Sequence, residues 1–296
     1  MQVQLINVVD KEAEEDSDFI PSDGLAYVIE FEGRRILFDS GDKGTILMHH
    51  LNLLNIDPNT LEFLVLSHGH WDHTFGIEAL LDARKEVETL RIIAHPHAFQ
   101  RRKAKFPLTL LALLKYRMYN FGFPRLPKSK RRRLVFEPTT KPFEITPYLK
   151  TTGEIAERKE KACTIDILKR KEGRRYVKDD LLDDLSLILK TKEGIVAILG
   201  CGHSGVLNIC ARAKELFPNQ EIKAIIGGTH LVALTEEKDL EYVAKKLEEE
   251  YNKPLLYFSH CTGKRAIKYM TNYFGKEIVR SFKIGDKLTF EVISPA

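Results

Sequence analysis

The chain has 296 residues, 43% hydrophobic and 30% charged, and a formal net charge of +4. These values suit a soluble globular chain with a large core, and the small net charge argues against a nucleic-acid binder. No stretch of 18 apolar residues occurs, which excludes a helical membrane span.

The first strand is expected at Val3–Val9; its sequence lacks the basic region and cleavage site of a signal peptide. Strands Leu25–Phe31 and Arg34–Asp39 follow, joined by a hairpin at Glu32-Gly33. Phe38-Asp39-Ser40-Gly41 ends that strand in a polar turn, and Thr45–Leu54 reads as a helix. The apolar run Phe63-Leu64-Val65-Leu66 reads as a buried strand, and a helix is expected at Gly76–Arg84. Between them stands His68-Gly69-His70-Trp71-Asp72-His73, four metal-ligand side chains within six residues at a strand-to-helix turn. His68 and His70 lie two apart and can point the same way to share one ion. Asp72 and His73 come off the next turn and can hold a second. Imidazole with carboxylate suits Zn, Mn or Fe better than Ca or Mg. A strand at Arg91–His95 follows.

At these residues the chain resembles the metallo-β-lactamase-fold superfamily, whose signature is H-x-H-x-D-H. The resemblance implies an α/β (α+β) αββα sandwich of two mixed sheets flanked by helices. It also implies one or two divalent ions at the sheet edge, and it makes residues 1–296 one domain with an insertion. In such a fold, a strand ending in Asp before Gly, as at Asp39, resembles the element that buttresses the metal site.

Residues 98–135 are that insertion. Basic clusters at Arg101–Lys105 and Lys128–Arg133 flank an apolar, aromatic middle running from Leu108 to Phe123. The segment is too short to span a bilayer. It reads as a piece packed on the core, as a helical lid with basic residues facing an anionic substrate, or as a membrane-surface helix.

Further on, Leu185–Lys190 and Ile195–Leu199 form a second hairpin across Lys192-Glu193-Gly194. A helix at Val206–Phe217, a strand at Ile222–Ile226 and a helix at Thr235–Tyr251 follow, then a strand at Leu255–Phe258 and a helix at Lys264–Tyr273. Gly200-Cys201-Gly202-His203-Ser204-Gly205 has the G-x-G-x-x-G spacing of dinucleotide-binding turns. The preceding hairpin and the absence of an acid after the next strand reject that reading. His203, His230 and His260 each end a strand. His203 is a candidate ligand of the first ion, and His260 resembles the last His ligand of the superfamily. His230 is a candidate acid or substrate contact, with Thr262 and Lys264 beside the mouth. His49, His50, His95 and His97 lack such placement and read as structural. The superfamily's bridging Asp is missing. Cys201 falls nearest its place, either as a soft thiolate ligand or as a buried small residue. The four Cys (163, 201, 210 and 261) form no C-x-x-C pair. Reduced thiols in a cytoplasmic chain are the plain reading, and the many Lys and Glu lean toward a thermophile.

Taken together, these motifs look like the 7,8-dihydropterin-6-yl-methyl-4-(β-D-ribofuranosyl)aminobenzene 5′-phosphate synthase group, with the likeness covering most of the chain outside roughly 100–180. It implies a metal-dependent transferase in which Asp72 and His230 serve catalysis. The substrate would be an anionic, phosphorylated small molecule, a dihydropterin diphosphate attacked by an arylamine. A metallo-hydrolase acting on a phosphodiester, lactone or thioester is the alternative, and a nuclease a distant third. A homo-oligomer stays open.

Overall fold

The computed structural model describes residues 1–85, 89–104, 121–164 and 167–293. The strands are β1 (Gln2–Val9), β2 (Ala26–Phe31), β3 (Arg34–Phe38), β4 (Leu61–Val65), β5 (Leu90–Ala94), β6 (Arg102–Ala104), β7 (Leu134–Pro138) and β8 (Glu144–Thr146). They continue as β9 (Leu149–Thr151), β10 (Leu168–Glu172), β11 (Arg175–Lys178), β12 (Ser186–Lys190), β13 (Ile195–Leu199), β14 (Ile222–Gly227), β15 (Leu255–Phe258) and β16 (Lys287–Glu291). The helices are α1 (Gly44–Leu53), α2 (Trp71–Thr74), α3 (Ile77–Ala83), α4 (Lys128–Arg131), α5 (Val206–Leu216), α6 (Glu237–Glu249) and α7 (Lys264–Phe274).

A seven-stranded sheet runs in the order β16-β1-β2-β3-β4-β5-β7, and a six-stranded sheet in the order β15-β14-β13-β12-β9-β8. Each is mixed. The hairpin strands pair antiparallel, whereas β3, β4, β5 and β7, and likewise β13, β14 and β15, pair parallel. Parallel strands need crossovers, and the helices on the outer faces supply them.

Alternation along each strand sets the layers. In β2 and β3, Tyr27, Ile29, Ile36 and Phe38 point inward to meet Leu187, Leu189, Val196 and Ile198 of the second sheet. The intervening Ala26, Val28 and Leu37 pack outward with Leu47 and Leu51 of α1 and Leu80 of α3. Outside the second sheet, Ala197 and Ile225 meet Ile209 of α5, Leu240 of α6 and Met270 of α7. Strands buried on both faces read as continuous apolar runs, which is why the period-2 signal in the sequence was faint. The result is the αββα sandwich.

A small sheet, β11-β10-β6, was not anticipated. It begins inside the expected insertion, where Arg102–Ala104 is a strand and Lys128–Arg131 a single helical turn. Most of the insertion's apolar middle lies outside the described residues. Of its aromatic residues, Phe123 packs edge-on against Phe99 and Phe136, at ring-centroid distances of 5.4 and 6.0 Å.

Candidate metal centre

The loops after β3, β4, β13, β14 and β15 gather at one edge of the sandwich. Three of them turn on non-glycine residues with left-handed backbone: Asp39 (φ 59°), His230 (φ 46°) and His260 (φ 52°). Such residues cost roughly 1–3 kcal/mol each and persist only where the surroundings fix them. At Asp39 and His260 hydrogen bonds do so. Asp39 Oδ1 accepts from the Ser67 amide at 2.8 Å, and its Oδ2 accepts from Ser67 Oγ at 2.6 Å and His73 Nδ1 at 2.7 Å. The His260 amide donates to buried Asp10 Oδ1 at 3.1 Å.

Two triads of donor atoms result. His68, His70 and His203 form one, and Asp72, His73 and His260 the other, with the ligand atoms of each within 4.8 Å of one another. Cys201 joins them. Its Sγ lies 3.2 Å from His73 Nε2, and it forms further groups with His68 and His73 and with His260 and Cys261. The thiol therefore stands where the motif lacks its bridging carboxylate. Gly200 makes that approach possible, because a Cβ there would stand 2.2 Å from Ser67 Oγ.

The electrostatics are those of a site built for cations. Burial and mutual repulsion hold His68, His70 and His260 well below the usual imidazole range. Burial pushes His203 down to about 4 and His230 to about 3. Burial would also lower His73, but Asp72 and Asp39 outweigh it and raise it to about 9. Neutral imidazoles keep a free lone pair, the form that ligates a metal. Nε2 of His70, His203 and His260 are buried and have no hydrogen-bond partner among the described residues. Buried polar atoms without partners are costly, and one cation in each triad would satisfy all three. His203 Nδ1 donates to the Cys163 carbonyl at 3.0 Å, which fixes the tautomer that leaves Nε2 free. The donor set thus fits divalent ions.

A brace that the sequence did not reveal supports the His68–His70 and His203 loops that carry the first triad. Asp183 Oδ2 accepts from the Gly69 amide at 2.9 Å and from the Arg102 guanidinium at 2.7 Å. Arg102, itself buried, also donates to Asp179 at 2.6 Å. Gly69 is packed so tightly here that a Cβ would meet the Ala98 carbonyl oxygen at 2.0 Å. The next residue, Asp184, accepts from the Ser204 amide at 2.8 Å, and the Leu185 amide donates to the Ser67 carbonyl at 2.7 Å. The only sequence signal was the acidic run Asp179–Asp184 set directly before an apolar strand.

The other expected residues fall in different places. The His230 ring lies 4.5 Å from that of His203, and its Nδ1 has no partner among the described residues. Thr262 is buried, and its hydroxyl accepts from the Thr229 amide and hydroxyl at 3.2 and 3.0 Å, tying two loops together. Lys264 is exposed in the first turn of α7. The cation whose field reaches Asp72, His230 and His260 together is Lys11, which the sequence did not single out. Part of the basic flanks is engaged elsewhere. Arg102 is in the brace, Lys130 bonds Glu78 and Asp82 at 2.8 Å, and Arg133 reaches the Leu81 carbonyl at 2.7 Å. His50 bonds the Val8 carbonyl and His95 bonds Glu154, as structural residues do.

Comparisons with known proteins agree with this geometry. A 7,8-dihydropterin-6-methyl-4-(beta-D-ribofuranosyl)-aminobenzene-5′-phosphate synthase of Methanocaldococcus jannaschii is 28% identical over 290 residues, covering 95% of this chain and 93% of its own. The crystal structure of a metal-dependent hydrolase of the beta-lactamase superfamily superposes with a TM-score of 0.78 at 22% identity, covering 97% of this chain and 98% of the other. The metallo-beta-lactamase fold protein YhfI from Bacillus subtilis superposes with a TM-score of 0.55 at 13% identity, covering 98% and 100%. These two likenesses concern the fold. The model of the metallo-beta-lactamase superfamily matches residues 20–207, more than half of the sequence, and the chain belongs to that superfamily.

Proposed function

We propose that this chain is a metal-dependent enzyme acting on a phosphorylated small molecule, and that it condenses a dihydropterin diphosphate with a ribofuranosyl-aminobenzene phosphate. The observation that carries the reading is the pair of donor triads, three imidazoles in one and two imidazoles with a carboxylate in the other, that flank Cys201. The near full-length likeness to a synthase supports the substrate. His68, His70 and His203 would hold one divalent ion, and Asp72, His73 and His260 a second; this imidazole-rich set suits Zn first, then Mn or Fe. Bound there, such ions supply Lewis-acid stabilisation of charge on a departing diphosphate.

The remaining work falls to the chain's own residues. Lys11, whose field reaches Asp72, His230 and His260, draws the anionic substrate in, with Lys264 on α7 as a second cation. His230 stays neutral, so its unpartnered Nδ1 can accept a hydrogen bond from the attacking amine. Asp72, the partly exposed carboxylate of the second triad, orients the reacting groups. The buried brace holds the two histidine loops in place while charge moves.

The test is incubation of metal-loaded protein with the dihydropterin diphosphate, with and without the arylamine. The expected result is coupled product and diphosphate release that requires the amine. Diphosphate release at an equal rate without it would overturn the transferase reading in favour of a hydrolase.

A further inference from the structure

A cavity of about 220 Å³ lies beside the metal centre, between the first turns of α5 and α6. Its floor is apolar: Cys163, Val206, Leu231, Leu234 and Val243 are all buried. Its rim carries the Tyr242 ring and an ion pair, Lys161 Nζ to Asp239 Oδ2 at 2.5 Å. Two of its walls are continuous with the metal centre. Leu231 follows His230, and the backbone carbonyl of Cys163 is the group that fixes the His203 ring. The cavity also sits at the carboxyl edge of the parallel strands β13 and β14, where open α/β sheets bind their ligands. Apolar walls with a few placed polar groups are the general form of a small-molecule site.

We propose that this cavity is the subsite for the flat heteroaromatic arm of the substrate, a pterin-type ring whose edge carries N–H donors beside a carbonyl. This rests on the reading of the metal centre as the reaction centre, and it adds where and how the ring is recognised. An apolar cavity of about 150 Å³ takes up benzene, so the volume here accommodates a fused two-ring system. The rim offers one acceptor and one donor at adjacent points. The Asp239 carboxylate takes two N–H bonds from an amino-pyrimidinone edge, and the Lys161 ammonium meets the neighbouring carbonyl. The Lys161 side chain is 60% exposed and that of Asp239 17%, so the ammonium can swing into solvent and leave the carboxylate to such a ligand. The Tyr242 hydroxyl is held outside by Glu160 at 2.9 Å, so its ring is presented as a stacking face.

The probe is 6-hydroxymethylpterin, whose own fluorescence anisotropy reports binding to the metal-loaded full-length protein. 6-Hydroxymethyllumazine (hereafter lumazine), which has a carbonyl in place of the 2-amino group and is otherwise the same, is the comparison. Asp239→Asn should weaken pterin binding at least tenfold and abolish the preference over lumazine. Leu234→Trp, which fills the floor, should weaken both ligands at least tenfold. Asp239→Asn is a near-isosteric change at a partly exposed position of α6, so it keeps the test alive should the tryptophan variant fail to fold. Wild-type affinity for the pterin in Asp239→Asn, or no preference over lumazine in the unaltered protein, would overturn the proposal. Metal content measured on the same samples separates the two readings. Wild-type metal content in His68→Ala sinks the metal-centre assignment, whereas intact metal with unaffected pterin binding in the cavity variants sinks the subsite alone.

Discussion

Asp39 shows how much one side chain can carry. It is fully buried, and it binds Ser67 twice and His73 once. Asp39→Ala would leave a charged His73 facing Asp72 without its second carboxylate. Breaking a buried pair by removing one partner costs about 3–5 kcal/mol, and urea unfolding should show a loss of that size. Removing a group that orients a metal ligand typically weakens metal binding about 10–100-fold, which a competing chelator would read. The cysteines allow a different check. Burial pushes the Cys163 and Cys210 thiols up to about 12, so only ~10⁻⁴ of each is thiolate at pH 8. Iodoacetamide should therefore leave both unlabelled in the native protein and label them after unfolding, as peptide mass spectrometry would show. Rapid native labelling of either would contradict the burial described here.

Among the elements, the β11-β10-β6 sheet matters because Arg102 enters the brace from it. Arg102→Ala would strand Asp179 and Asp183 as buried carboxylates. The expected loss is again about 3–5 kcal/mol, with weakened metal binding at the His68–His70 loop. The sign of the pH effect follows from Asp183. Burial alone would raise its pKa, but Arg102 and the Gly69 amide outweigh that and hold it below the usual carboxylate range. Its contribution is therefore complete above about pH 4, the unfolded value, and is lost as pH falls through the depressed folded value. Asp183→Asn should flatten that acid limb in a plot of stability against pH; an unchanged limb would mean that the pair contributes nothing there. The metal motif and most strands were legible because they are local: four ligands in six residues, and apolar runs bounded by turns. The brace was not, because Arg102 and Asp183 are 81 residues apart and each reads as a surface charge by itself. The closing strand β16 was missed for a related reason. It pairs with β1 from the opposite end of the chain, and its exposed alternate residues give little apolar signal.

Across the whole molecule, the two triads draw on both sheets. His68, His70, Asp72 and His73 follow β4 of the first sheet, and His203 and His260 follow β13 and β15 of the second. Ions bound there would clasp the sandwich at one edge. A ligand held only by the folded state stabilises it by about 4 kcal/mol at a thousand times its dissociation constant. Chelation should therefore lower the melting temperature, and His68→Ala should abolish most of that dependence while lowering the metal content. A melting curve indifferent to chelator would separate the ligand set from the fold's stability.

Asp183 and Asp184 are neighbours in sequence, yet one holds the Gly69 turn and the other the Ser204 turn. The segment that carries them is a loop, and loops ordinarily tolerate a residue more or less. This one cannot. Inserting a single alanine between the two aspartates would pull one carboxylate off its amide, and whichever histidine loop lost its anchor would shift. The connection before β12 is thus a ruler of fixed length, and the spacing between the two halves of the metal centre is written in the count of its residues.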